Sequence, residues 1–124
     1  MVSNQIIGDR DTYLTAEDLA ALRANLDEQR LFRQEQLEQI SAAATSRADA
    51  LLQQQAASQV EVRVKLAASA RMVLADVEAA LARMDEGSYG TCHLCRRPIA
   101  RERLEIVPQA RYCARCQQVR EAGR

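Results

Sequence analysis

The chain is poor in the residues that fill ordinary globular cores. It has no Trp, and its only aromatic residues are one Phe and three Tyr among 124 positions. So few large rings exclude a conventional mixed core. One histidine, four cysteines and no phosphate-cradling glycine loop leave little for acid–base, thiol or phosphoryl chemistry, so an enzyme is not expected. No apolar run approaches the length of a membrane span, so a soluble, cytoplasmic protein is expected. Nothing in Met1–Asp11 reads as a secretory signal. Glycine and proline are missing from the whole stretch between Gly8 and Gly87. Tight turns are thereby disfavoured over most of the chain.

What is present points to helix. Alanine, leucine, glutamine, arginine and glutamate dominate, the composition of long helices and coiled coils. The formal net charge is zero but unevenly spread. Residues 1–91 carry nine basic and fourteen acidic side chains, a balance of −5, whereas residues 92–124 carry eight arginines against three glutamates, a balance of +5. The two parts therefore offer different surfaces to partners.

Residues 1–13 show no periodicity and read as a flexible arm. Thr15 to Asp18 has the spacing of a capping box, with Leu14 and Leu19 placed for a hydrophobic staple. Leu19, Leu22, Leu26, Leu37, Ile40 and Ala44 share one helical face, interrupted by Gln29, Arg33 and Gln36. A second stripe runs through Val62, Leu66, Ala70, Val73, Val77, Leu81 and Met84, close to a heptad repeat. Folding the chain back near Thr45 sets Leu26 against Leu66 and brings Arg33 and Gln36 near Gln55 and Gln59. Ser46 and Asp49 give a second capping signal, so a helix can restart there. The expected fold is all-α dominated: a long antiparallel helical hairpin (coiled coil) over residues 14–88, with its tip near 43–50. A small C-terminal four-cysteine zinc finger follows over 89–124. The competing arrangement is one uninterrupted helix paired with a second chain. Gly87 suits the left-handed position that ends a helix. Ile99, Leu104, Ile106 and Tyr112 are the expected core of the finger, and 117–122 its short closing helix.

The finger is read from Cys92-x-x-Cys95 and Cys113-x-x-Cys116, two pairs separated by seventeen residues. That pattern fits one tetrahedral zinc ion better than two disulfides. Four thiolates close the coordination shell, so the zinc is structural rather than catalytic. His93 is then an exposed bystander.

The run Asp85-x-Gly87-x-Tyr89-Gly90-x-Cys92-x-x-Cys95, then Pro98-Ile99, Arg103-Leu104, Pro108 and Cys113-x-x-Cys116, resembles the DksA/TraR-type zinc-finger family over about residues 81–118. The resemblance implies binding to bacterial RNA polymerase, with a coiled-coil tip passed through the secondary channel toward the active centre and no DNA sequence read. By counting back from Cys92, one of the family's two tip aspartates falls on Asp49 and the other on Leu52. Ala48, Asp49 and Leu52 are thus the candidate tip contacts, and Arg96, Arg97 and Arg101 the candidates for contacts at the channel rim. Half of a carboxylate pair suited to magnesium is missing. A tip so altered can occupy the channel and compete with acidic-tipped factors without reproducing their effect. The positions through which some members bind guanosine tetraphosphate are Asp76, Val107 and Gln117 here, none a cation, so no response to that nucleotide is expected there. Two other readings stay open: a DNA-binding finger of GATA-like spacing, backed by the arginines, and a coiled-coil dimerisation adaptor.

Overall fold

The computed structural model describes residues 14–50 and 57–123, with side chains described over 14–43 and 59–123. Four helices follow in order: α1 (Ala16–Ala50), α2 (Ala57–Glu86), α3 (Arg101–Ile106) and α4 (Ala114–Ala122). The first two pack against each other as the expected antiparallel hairpin. At 35 and 30 residues they are about 52 and 45 Å long.

Helix α1 starts as its sequence predicts. The Asp18 N–H donates to Thr15 Oγ1 and the Thr15 N–H to Asp18 Oδ2, each at 3.0 Å. The Thr15 N–H, then the Thr15 hydroxyl and the Arg101 guanidinium, hold the Asp18 carboxyl below its usual range. Leu14 is drawn away to the finger, where it packs on the cluster around Cys92 and Leu104. Helix α2 ends in a Schellman motif. The Ser88 N–H reaches Arg83 O at 2.9 Å and the Gly87 N–H reaches Met84 O at 3.2 Å, with Gly87 at φ +84°.

The turn and the register differ from expectation. Helix α1 runs unbroken through Thr45 to Ala50, so the chain does not turn at 43–50; α2 begins at Ala57, and 51–56 lie outside the described residues. Ser41–Arg47 holds no breaker, and its three consecutive alanines favour continued helix over a weak second cap. Moving the turn outward shifts the pairing of the two helices by twice that distance. Leu26 accordingly packs with Val77, Ala80 and Leu81, eleven residues beyond the expected Leu66. Leu37 and Ile40 share a groove with Val60, Val64 and Ala67, and Arg23 bonds Asp85 at 2.8 Å. Leu66 is 47% exposed, and Ala67 takes the inward position beside it. Of the expected polar layer, Arg33 bonds Gln36 along its own helix at 2.9 Å, and Gln55 lies outside the described residues.

Two clusters carry the core. One, within the hairpin, gathers Leu26, Val77, Ala80 and Leu81. The other joins Leu22 of α1 to Cys92, Ile99, Leu104 and Ala110 of the finger. Met84 and Tyr89 pack against both, so hairpin and finger share continuous packing. Ile106 is a correction: it is 80% exposed. Helix α3 is too short to bury two faces, and Leu104 holds the inward one while Val107 packs behind it.

These positions make opposite predictions for two leucines. Leu26→Ala should cost about 2–5 kcal/mol in denaturant unfolding, because it empties a closed site. Leu66→Ala should cost about 0.5 kcal/mol or less, as for a surface change. Similar losses at both would restore the register in which they face each other.

Candidate metal centre and the finger around it

The first cysteine pair sits on a tight knuckle built from backbone hydrogen bonds. The Cys92 N–H donates to Arg97 O at 2.8 Å, the Arg96 N–H to Cys92 O at 3.0 Å and the Ile99 N–H to Gly90 O at 2.7 Å. A bridge between Thr91 and Pro98 closes it. Gly90, at φ +89°, also lies where an added Cβ would approach Leu14 Cδ1 to 3.2 Å. Turning the chain this sharply puts Arg96 at φ +66°, the single non-glycine residue with positive φ among those described. That conformation costs an L-residue about 1–2 kcal/mol.

The second pair is positioned by a helix start. Cys113 is the N-cap of α4, its Sγ accepting from the Cys116 N–H at 3.4 Å. Helix α4 therefore begins at Ala114, three residues before the expected 117.

The four sulfurs of Cys92, Cys95, Cys113 and Cys116 lie within 4.8 Å of one another, and those of Cys95 and Cys113 are 3.9 Å apart. A tetrahedral site with zinc–sulfur bonds of about 2.3 Å needs sulfurs about 3.8 Å apart. The donor set therefore fits one structural zinc. Burial resists ionisation of Cys92, but N–H groups of Cys95, Cys113 and Leu94 outweigh it and bring its thiol down to about 6. Cys116 goes the other way, pushed up to about 12 first by the Cys113 sulfur and then by burial. Sulfurs this close cannot all be ionised without a cation among them. Zinc would supply that charge and cross-link knuckle to helix; the residues supply a preformed cage.

Around the cage the finger is tied to the hairpin by polar contacts. Arg101 bonds Asp18 at 3.3 Å, Arg111 pairs with Asp76, and the Tyr89 hydroxyl donates to Pro108 O at 2.7 Å. Burial is the main reason that the Tyr89 phenol is raised to about 12, so it stays a donor. Arg103 Nε donates to Tyr112 O at 2.9 Å, and Arg120 stacks on the Tyr112 ring, 4.6 Å from its centroid. His93 is exposed as expected, with its ring edge-on to Tyr112.

The expected contact residues separate. Arg96 and Arg97 are exposed, while Arg101 is engaged at the base of α1. Ala48 and Asp49 lie on the last turns of α1, their side chains outside the described residues, and Leu52 lies outside them altogether. Asp76 is paired with Arg111, Gln117 bonds Glu121 at 2.7 Å, and Val107 packs on the finger core. Sequence reasoning missed Arg83, Tyr89 and Arg111 as joint residues. Of these only Tyr89 had a visible signal, its place between Gly87 and Gly90.

Fold and site together define a helical hairpin carrying a tetracysteine zinc finger at its base. Residues 87–122 match the family described as the prokaryotic dksA/traR C4-type zinc finger. The fold is similar to the structure of transcription factor DksA2 from Pseudomonas aeruginosa, with a TM-score of 0.77 over 90% of this chain and 88% of that one, at 22% identity. An uncharacterized protein of Aquifex aeolicus (strain VF5) is 38% identical over 52 residues. That match covers 40% of this chain and spans only 36% of the relative's length.

The cage should hold one zinc per chain by elemental analysis, and Cys92→Ser should release it and lower the melting temperature. Arg96→Gly removes the left-handed strain and should raise stability toward chelator and heat by about 1 kcal/mol.

Proposed function

We propose that this protein is a transcription regulator that binds RNA polymerase in the cytoplasm, with the hairpin entering the secondary channel and the finger at its rim. It acts by occupancy and by contacts at the tip, not as an enzyme and not by reading DNA sequence. The observation that carries this reading is mechanical. A rod of two helices, about 45–52 Å long, is fixed at one end through a core shared with the finger. Such an object can deliver a small tip deep into a narrow passage while its base stays outside. The finger's match to the dksA/traR type and the fold shared with transcription factor DksA2 support the same reading. Asp49 and its neighbours Ala48 and Leu52 are the tip contacts in this scheme, with Arg96 and Arg97 at the rim. Arg101, held by Asp18, serves first to fix finger to hairpin.

A photo-crosslinking residue at position 49, in zinc-loaded protein mixed with RNA polymerase, should label the catalytic subunits near the active centre. A crosslink between two copies would favour a coiled-coil adaptor. Salt-sensitive retention on DNA without any polymerase crosslink would favour a DNA-binding finger. Leu52→Asp should restore the second carboxylate and change promoter opening measurably; no change would remove Leu52 from the mechanism.

A further inference from the structure

A cavity of about 380 Å³ opens where the end of α2 meets the first cysteine knuckle, lined by Arg83, Ser88, Thr91, His93 and Arg96. Every lining side chain has a polar hydrogen-bonding group, and the volume suits a small-molecule ligand. Among the described residues, the Arg96 guanidinium and the Ser88 and Thr91 hydroxyls have no hydrogen-bond or ion-pair partner. Arg83 is half-buried and reaches only Ala110 O, at 3.5 Å. Two guanidiniums and two hydroxyls line one hollow, and each can donate hydrogen bonds to a ligand held there.

The electrostatics agree. Arg83 and Arg96 both line the hollow, and a guanidinium keeps its positive charge at any ordinary pH. Glu86 and Asp76 act on Arg83, but Asp76 is already paired with Arg111. A zinc tetrathiolate adds −2 to the finger, which reduces the +5 of residues 92–124 to +3 and leaves it basic. The negative end of α2 is nearby, and its last turn is blunted because the Arg83 and Met84 carbonyls are capped by Ser88 and Gly87.

We propose that this cavity is a phosphate-binding site, in which Arg96 and Arg83 engage phosphate oxygens and Ser88 and Thr91 complete the cradle. Paired guanidiniums suit phosphate because each presents several donors in one plane. The phosphate comes either from a free phosphorylated small molecule or from a nucleic-acid backbone. The site is separate from Asp76, Val107 and Gln117, and it stands whether or not the chain binds polymerase.

The single histidine supplies a reporter, because His93 lines the cavity and gives one set of imidazole resonances. Zinc-loaded full-length protein would be titrated, without polymerase, with inorganic pyrophosphate, ATP and a short single-stranded oligonucleotide. A saturable His93 shift is expected. Arg96→Gly should weaken it at least tenfold while the protein becomes more stable, so misfolding cannot explain the loss. Arg96→Lys should retain part of the affinity. Response to pyrophosphate and ATP would identify a free ligand as the source, and response to the oligonucleotide alone would identify a nucleic-acid backbone. No saturable shift with any probe would overturn the proposal. So would an equal loss in Arg97→Gln, whose side chain lies outside the cavity, because binding would then be diffuse attraction to a basic surface.

Discussion

Everything in this molecule hangs on the packing of Tyr89 and Met84 between two clusters that would each be marginal alone. The hairpin cluster holds four buried residues, of which only Leu26, Val77 and Leu81 are larger than alanine. The finger cluster holds five, one of them a zinc-ligand cysteine. A segment of that size rarely folds on apolar burial alone. Joining the two makes one core from two insufficient ones. The Schellman turn at Gly87 and the tight turn at Gly90 set the angle at which they meet.

The joint also explains the placement of polar residues. Asp18 begins α1 and binds Arg101 at the start of α3, so the cap of the rod is also a tether to the finger. Ion pairs near the surface add little to stability. Their value lies in orientation rather than stability: Arg23 with Asp85, Arg101 with Asp18 and Arg111 with Asp76 join elements far apart in sequence at the base. Stability rests on the apolar joint and the metal cage.

Much of this was legible from residues alone, and the failures have physical causes. The cysteine pairs, the Thr15 cap and the Gly87 helix end each depend on local chemistry, and each appears where its residues stand. The α1 stripe was read correctly in part: Leu22 and Leu26 are buried and Gln29, Arg33 and Gln36 half-buried, but Leu19 at the start of the helix is exposed. Register was not legible, because it depends on where the turn lies, and alanine-rich helix gives no local mark of its end. A misplaced turn of a few residues became an eleven-residue error at Leu26. Ile106 failed for a related reason: a two-turn element can show the core only one of its apolar side chains. The Arg83–Arg96 cavity was invisible because its five lining residues span one helix end and a knuckle whose backbone had first to be built.

The anchoring of the rod at one end has an architectural consequence. Among the described residues, the packing and ion pairs that join hairpin to finger lie at or below the level of Asp76. Adding seven residues to α1 and seven to α2, at matching distances from the turn, would lengthen the rod by about 10.5 Å and leave the joint and cage untouched. Removing seven from each would shorten it equally. Reach and anchorage are therefore independent variables in this fold, and reach changes in steps of two helical turns.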